Sequence, residues 1–203
     1  MRTRLALTAA AVSLAGLSIA AQAPAAAGQA PASPNANIVV ANPTYTTIPL
    51  EIDVNKPAGE VWERIGKYCG IAEWLPAVKS CKMLSGVEGE VGSVRSVANE
   101  VLVAKTQYSY TYTQTPREGR PYNLYHGTLE ARPVTPTTSK LIYTLMWDNS
   151  MLADDAARER DRAQRTTQFT QALENMKILA ERGTLPPAPP RGGGAGAGRG
   201  RGN

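Results

Sequence analysis

Hydrophobic and polar residues follow two different periods along this chain, and the change of period separates a sheet-forming part from a helical end. Between residues 77 and 148 short runs alternate apolar and polar positions, which is the pattern of half-buried strands. Between residues 154 and 182 the apolar positions recur every three or four residues, as on one face of a helix; they are Phe169, Ala172, Leu173, Met176, Leu179 and Ala180. The order predicts an antiparallel sheet followed by one long C-terminal helix, an α+β architecture.

Shorter elements precede and make up this sheet. The segment 48–54 (IPLEIDV) alternates as a strand, Pro57 suits the first turn of a helix running to residue 70, and a second short helix over 71–75 stops at Pro76. Six further strands are predicted at 77–84, 92–98, 100–106, 107–114, 123–132 and 140–148. One helix across a curved seven-stranded sheet does not fill the concave face, so we expect an internal cavity suited to a small guest.

The two ends of the chain differ in composition from the domain between them. Residues 1–23 combine Arg2 and Arg4, an apolar run and the sequence Ala21-Gln22-Ala23, which together predict a secretory signal peptide cleaved after residue 23. A disordered linker over 24–45 and a Pro/Gly/Arg-rich tail over 184–203 then enclose a domain at 46–183. We therefore expect a periplasmic or secreted protein that is not inserted in a membrane after cleavage.

Charge and cysteine content narrow the function classes. Five of the 22 basic residues lie in the two ends, and the remaining 17 equal the 17 acidic residues in number, so a nucleic-acid-binding domain is not expected. One histidine and no C-x-x-C motif leave no predicted metal site, and no motif indicates a cofactor. Cys69 and Cys81 either form a disulfide in an oxidising compartment or remain two reduced, buried side chains.

Four short segments carry a resemblance to a known superfamily. They are 78–81 (VKSC), 91–95 (VGSVR), 99–102 (NEVL) and 124–127 (LYHG). With the order of elements, they resemble the START-like, or SRPBCC, superfamily over about residues 48–182, with local similarity to the plant abscisic-acid receptors. The resemblance implies the helix-grip fold and an internal ligand cavity. Only four residues separate Arg95 from Glu100, so the gate loop of those receptors has no counterpart and a hormone-gated switch is not expected.

The same resemblance makes Lys79, Glu100 and Tyr125 the candidate pocket residues. Alternation along a strand does not say which face points inward, so Lys79 and Glu100 either meet in the cavity or lie on the outer, wet face. His126 alternates with Tyr125 and is expected to point away from the cavity. The remaining candidate ligand-binding residues are Arg95, Tyr108, Tyr110, Phe169 and Leu173. A stripe formed by Tyr108, Tyr110 and Tyr112 either lines a cavity or stabilises the sheet through cross-strand pairs.

Three functions are compatible with this pattern. The first is binding of a hydrophobic or aromatic small molecule, with Lys79, Arg95, Glu100 and Tyr125 orienting its polar end. The second is an enzyme resembling polyketide cyclases and related lyases, namely a cyclase, dehydratase or lyase that acts without metal on a small aromatic or carbonyl compound. It would use Lys79, Glu100 or Tyr125 for proton transfer in the same cavity. The third is a module that binds a cell-envelope partner through the arginine-containing tail or a sheet edge. Oligomeric state is not predicted.

Overall fold

The structure is a computed structural model that describes residues 42–117 and 119–187. The predicted signal peptide 1–23, most of the linker 24–45 and most of the tail 184–203 lie outside the described residues. Within the linker range the first strand already begins at Tyr45, one residue before the predicted domain boundary.

Seven strands and three helices follow the predicted order. The strands are β1 Tyr45–Val54, β2 Met83–Ser85, β3 Val94–Arg95, β4 Glu100–Thr106, β5 Ser109–Gln114, β6 Asn123–Pro133 and β7 Ser139–Asp148. The helices are α1 Ala58–Ile65, α2 Ile71–Trp74 and α3 Asp155–Arg182, with a 3₁₀ turn at Tyr68–Gly70 between α1 and α2. This confirms the helix-grip α+β fold.

The strands form one curved antiparallel sheet in the order β1-β7-β6-β5-β4-β3-β2. β1 closes one edge by pairing with β7, from Tyr45 opposite Asp148 to Val54 opposite Ser139. Polar side chains on β1 alternate with the inward-facing Ile48 and Val54, as the sequence period predicts. The other edge, at β2, is only three residues long.

Helix α3 covers the inner face of the sheet. Asp154 caps its start by accepting a 2.7 Å hydrogen bond from the backbone N–H of Ala157, and Gly183 ends it with φ of 81°. Its buried residues, Phe169, Ala172, Leu173, Met176 and Leu179, are five of the six predicted stripe residues, and Ala180 is half-buried. Among the described residues, we find no helix with both the length and the apolar content to span a bilayer.

Four predicted boundaries are wrong. The predicted strand 92–98 is shortened to the two residues of β3, Val94–Arg95. The predicted helix 57–70 ends at Ile65, where the N–H of Gly66 closes the last turn on the Trp62 carbonyl at 2.7 Å. Most of the predicted strand 77–84 is irregular, because β3 is two residues long and pairs only with Met83 and Ser85; the contact continues only to Lys82, whose carbonyl accepts from the Ser96 N–H at 2.9 Å. Tyr108 lies in the turn between β4 and β5 rather than on a strand with Tyr110.

Gly127 on β6 has no room for a side chain, because a tyrosine ring lies close to its Cα. It lies opposite Tyr112, and a Cβ there would be 2.4 Å from Cζ and Oη of that ring. The ring is buried, and its hydroxyl is 2.8 Å from the Tyr143 hydroxyl. We expect Gly127→Ala to lower the free energy of unfolding by about 1–3 kcal/mol, because the ring must leave its packed position.

Urea denaturation checks this expectation, with Tyr112→Leu as the control background because it removes the clashing ring. Gly127→Ala should cost much less in that background than in the wild type. Equal losses in both backgrounds would contradict a steric origin.

Candidate functional site

A cleft of about 150 Å³ opens between α3, the inner face of the sheet and the irregular segment after α2. Its apolar wall consists of Ile71, Leu75, Ala77, Val78, Val97, Tyr112, Tyr125 and Phe169. Its polar lining consists of Glu100, Gln114, Arg165 and Gln168. The cleft therefore exposes polar and apolar surface in about equal shares, so a ligand can find both packing and hydrogen-bonding partners there.

Aromatic rings fill most of the space beneath the cleft. Tyr110, Tyr112, Tyr125 and Trp147 form a continuous row, with consecutive ring centroids 6.4, 6.2 and 6.3 Å apart. Phe169 of α3 packs on Tyr143 of β7 at 4.8 Å. The space that the sequence predicts between helix and sheet is thus largely a packed aromatic layer, and the open volume lies on top of it.

A buried ion pair forms one end of the cleft. Arg95 Nε donates to Glu100 Oε2 at 2.6 Å, and Arg95 Nη2 lies 2.5 Å from the same oxygen. Arg95 Nη1 donates to the Tyr68 carbonyl, while the guanidinium lies over the Tyr68 and Tyr112 rings at 4.2 and 4.8 Å. The other carboxylate oxygen of Glu100 accepts a 2.9 Å hydrogen bond from Gln114 Nε2. Burial raises the pKa of Glu100, and contact with Arg95 opposes this shift.

A tight turn holds this pair together. β3 and β4 are joined through Ala98 and Asn99, both in the left-handed region with φ of 51° and 54°, and the N–H of Glu100 returns to the Val97 carbonyl at 3.0 Å. This hairpin places Arg95 directly opposite Glu100.

An irregularity in β6 directs Tyr125 into the cleft. Leu124 has φ of 50°, and the β6–β7 register shifts between Asn123 and His126. Tyr125 is consequently buried against the inner face, whereas His126 Nδ1 is 2.9 Å from the Leu124 carbonyl and does not line the cleft. Burial raises the pKa of the Tyr125 phenol, and nearby Arg165 offsets this only in part, so the group is a neutral hydrogen-bonding partner at neutral pH.

Arg165 of α3 covers the outer end of the aromatic row. Its guanidinium carbon is 4.6 Å from the ring centroid of Tyr122, 5.4 Å from that of Tyr125 and 4.8 Å from that of Trp147. Arg165 Nε donates to Asp161 Oδ1 at 3.0 Å, and Asp161 Oδ2 accepts from Trp147 Nε1 at 2.9 Å. The charged stretch of α3 thus contributes a side chain to the cleft.

A disulfide anchors the irregular wall of the cleft. Cys69 and Cys81 are bonded, with Cα atoms 5.3 Å apart. The closed loop contains α2 and four of the lining residues, Ile71, Leu75, Ala77 and Val78. The described residues contain no group of three or more His, Cys, Asp or Glu side chains that could hold a metal ion.

A second cavity of about 220 Å³ lies beyond Tyr110, between the end of α1 and the β4–β5 hairpin. Trp62 and Tyr110 form its aromatic wall, with ring centroids 5.5 Å apart. Lys105 at its rim is already paired with Glu90 at 2.8 Å.

The family profile described as polyketide cyclase/dehydrase and lipid transport matches residues 46–181. The chain belongs to this family. No match was found among curated proteins. The assignment agrees with the START-like resemblance seen in the sequence.

Three solved structures share the fold of this polyketide cyclase/dehydrase family member. A Nitrosospira multiformis protein is 22% identical with a TM-score of 0.52, covering 68% of this chain and 98% of its own. The Zhui aromatase/cyclase from a Streptomyces species is 19% identical with a TM-score of 0.54, covering 68% and 95%. Truncated norcoclaurine synthase from Thalictrum flavum is 13% identical with a TM-score of 0.51, covering 70% and 97%. These similarities establish the architecture.

In this family member the structure brings together only some of the residues predicted for the site. Glu100, Tyr125 and Phe169 line the cleft, and Arg95 lies directly behind Glu100. Tyr110 lines the second cavity, and Leu173 is buried in the core. Tyr108 is half-buried in its turn, where its hydroxyl accepts a 3.0 Å hydrogen bond from Gln107.

Lys79 lies outside the cleft. Its side chain is exposed and donates to the Pro76 carbonyl at 3.3 Å, and its expected partner Glu100 is bound to Arg95 instead. The reason is that segment 77–82 is not a strand, so neither the alternation nor the family motif fixes the direction of the side chain.

Sequence reasoning missed Gln114, Arg165 and Gln168. Arg165 precedes Phe169 by four positions on α3, so helical spacing places both on one face. This four-residue spacing from Phe169 could have identified Arg165 as a cleft residue from the sequence.

Proposed function

We propose that this protein binds a small molecule carrying a single aromatic ring, in the cleft between α3 and the sheet. The proposal rests on the lining of the cleft, which combines the rings of Tyr112, Tyr125 and Phe169 with three polar side chains. These are Gln114, Arg165 and Gln168. The family description and the aromatase/cyclase among the structural neighbours support a small-molecule role.

Volume supports a one-ring guest. The cleft measures about 150 Å³, and an apolar cavity of roughly that size holds benzene. Sites for drug-sized ligands are larger, about 300–1,000 Å³. A fused-ring compound would therefore extend out of the cleft unless the rings or Arg165 move.

The acid–base groups favour binding over proton transfer. Lys79 is at the surface, and His126 does not line the cleft. Tyr125 is not a general base at neutral pH, because the pKa of a phenol already lies well above neutrality and burial raises it further. Glu100 has both carboxylate oxygens engaged, one by Arg95 and the other by Gln114.

Calorimetric titration with benzamide and 2-naphthamide tests this proposal. We expect benzamide to bind saturably and 2-naphthamide to bind more weakly. Val78→Trp places a large ring at the cleft wall and should weaken benzamide binding by at least about tenfold, or about 1.4 kcal/mol. Val103→Trp is the matched control, because Val103 is exposed on β4 and does not line the cleft. Absence of saturable binding, or equal effects of the two variants, would contradict the proposal.

A second candidate is an acid–base enzyme, favoured by one observation. Glu100 lines the cleft, and its burial raises the pKa of the carboxyl, whereas contact with Arg95 opposes that shift. Incubation with acetophenone in D₂O tests this candidate. Exchange of the methyl protons that is lost in a folded Glu100→Gln variant would support the enzyme, and binding without exchange would support the carrier.

We propose further that the protein is exported. The arginine-led apolar segment with Ala21-Gln22-Ala23 supports this, as does the Cys69–Cys81 disulfide, since such bonds persist mainly in oxidising compartments. Mass spectrometry of the protein from its own host should find Pro24 at the N-terminus and no free thiol. An intact Met1 with two free thiols would overturn the proposal.

A further inference from the structure

We infer that the cleft selects aromatic carboxylates, and that Arg165 is the residue that recognises the carboxylate. This inference rests on the proposed function and names the chemical class of its ligand.

The hydrogen bonds of Arg165 leave its terminal amino groups available. Only Nε has an acceptor among the described residues, namely Asp161 Oδ1 at 3.0 Å. Nη1 and Nη2 have none there, although the side chain lines the cleft and is only 16% exposed. A guanidinium has five N–H donors. Four of them therefore remain for a ligand or for water.

The stacking of Arg165 orients those donors. The guanidinium carbon lies over the Tyr122 and Trp147 rings, 4.6 and 4.8 Å from their centroids. A stacked guanidinium keeps its N–H edge free in its own plane, and that edge matches the two oxygens of a carboxylate. Asp161 restrains Arg165 through its hydrogen bond from Nε, and Asp161 is itself held by a 2.9 Å hydrogen bond from Trp147 Nε1. The forked N–H edge of the Arg165 guanidinium is thus positioned before a ligand arrives, which reduces the entropy lost on binding.

The positive charges around the cleft outnumber the negative ones, which favours binding of an anion. Glu100 is the carboxylate among the lining residues, and its charge is compensated by Arg95 at 2.5 Å and by the Gln114 amide. Arg120 adds positive charge on the far side of Gln114, where its Nη1 is 3.5 Å from Gln114 Oε1. A ligand carboxylate beside Arg165 therefore meets two carboxylates, those of Glu100 and Asp161, and three cations, those of Arg95, Arg120 and Arg165.

The ring of the ligand has a matching surface. Tyr125 and Phe169 line the cleft together with Arg165, and Phe169 lies one helical turn beyond Arg165 on α3. A one-ring carboxylate can place its ring on these side chains and its carboxylate at the Arg165 edge.

Benzoate and benzamide test this inference, because they share ring and shape but differ in charge. At neutral pH the wild-type protein should bind benzoate about tenfold more tightly than benzamide, since charge-assisted hydrogen bonds are the stronger ones. In Arg165→Gln the ratio of the two affinities should fall to about one, because benzoate loses the charge-assisted hydrogen bonds and therefore loses more affinity than benzamide. Arg165→Lys keeps the charge but not the fork and should give an intermediate ratio.

Arg162→Gln is the matched control, because Arg162 is on the same helix, is exposed and pairs with Glu159 at 3.5 Å outside the cleft. It should leave the benzoate preference unchanged. Equal binding of benzoate and benzamide by the wild type would overturn this inference and leave the proposed function standing. A preference lost equally in Arg162→Gln and Arg165→Gln would also overturn it, because the cause would be general charge. Failure of both compounds to bind would overturn the proposed function as well.

Discussion

Arg95→Met should lower the free energy of unfolding by about 3–5 kcal/mol, the usual loss when one partner of a buried ion pair is removed. Arg95 is fully buried, and its loss leaves the Glu100 carboxylate in an apolar environment with only Gln114 as a donor. It also removes the hydrogen bond to the Tyr68 carbonyl and the stacking on two tyrosine rings. Urea denaturation monitored by tryptophan fluorescence measures this loss.

A double-mutant cycle separates the pair from its packing. Glu100→Gln alone should also be strongly destabilising, because it leaves the Arg95 charge buried without a counter-ion. The double variant Arg95→Met/Glu100→Gln contains neither charge, so its loss should be well below the sum of the two single losses. Strictly additive losses would contradict a direct interaction between the two side chains.

The stability of the single variant Arg95→Met has a predictable pH dependence. Without Arg95, burial raises the pKa of Glu100 further, so the folded state binds a proton more tightly than the unfolded chain. The resulting stability is present below the unfolded pKa and is lost as the pH rises through the folded pKa. The deficit of Arg95→Met relative to the double variant should therefore be smaller at about pH 5 than at about pH 7. A deficit independent of pH would show that Glu100 is not the cause.

Removal of the disulfide should have the second large effect. The variant Cys69→Ala/Cys81→Ala should be less stable by about 3 kcal/mol, because a 12-residue separation no longer restricts the unfolded chain. The loss should also reach the cleft, since Ala77 and Val78 lie in an irregular segment that the bond ties to the 3₁₀ turn. We therefore expect weaker benzamide binding as well as a lower urea midpoint.

Comparison with reduced wild-type protein controls for the alanine side chains. Reduced wild type and the double alanine variant should lose similar stability and similar affinity. A double variant as stable as the oxidised wild type, with unchanged affinity, would contradict the assigned role of the bond.

The framework of the fold was predictable because its signals are local. The alternation of β1 and the apolar stripe of α3 each result from one buried face, and both appear in the structure. Segment 77–84 shows the limit of this reasoning. Its composition suits a strand, yet a strand also needs a partner, and β3 supplies only Val94 and Arg95.

The site was less predictable because its geometry depends on distant parts of the chain. Arg165 lies in a highly charged stretch that is typical of a solvated helix face, and its role follows from the position of Trp147 on β7 and Tyr122 before β6. Lys79 shows the opposite case, since a short motif carried over from a superfamily does not fix where a side chain points. Glu100 lies in the cleft, but its partner is Arg95 of the neighbouring strand.

NMR titration of isotope-labelled protein with benzamide tests the central claim most directly, because it locates the ligand as well as detecting it. We expect saturable shift changes at Val78, Gln168 and Phe169, around the cleft beneath α3. Lys105 and Gln107, beside the second cavity, should be unaffected. Changes confined to Lys105 and Gln107, or changes that never saturate, would contradict the assignment of the cleft as the ligand site.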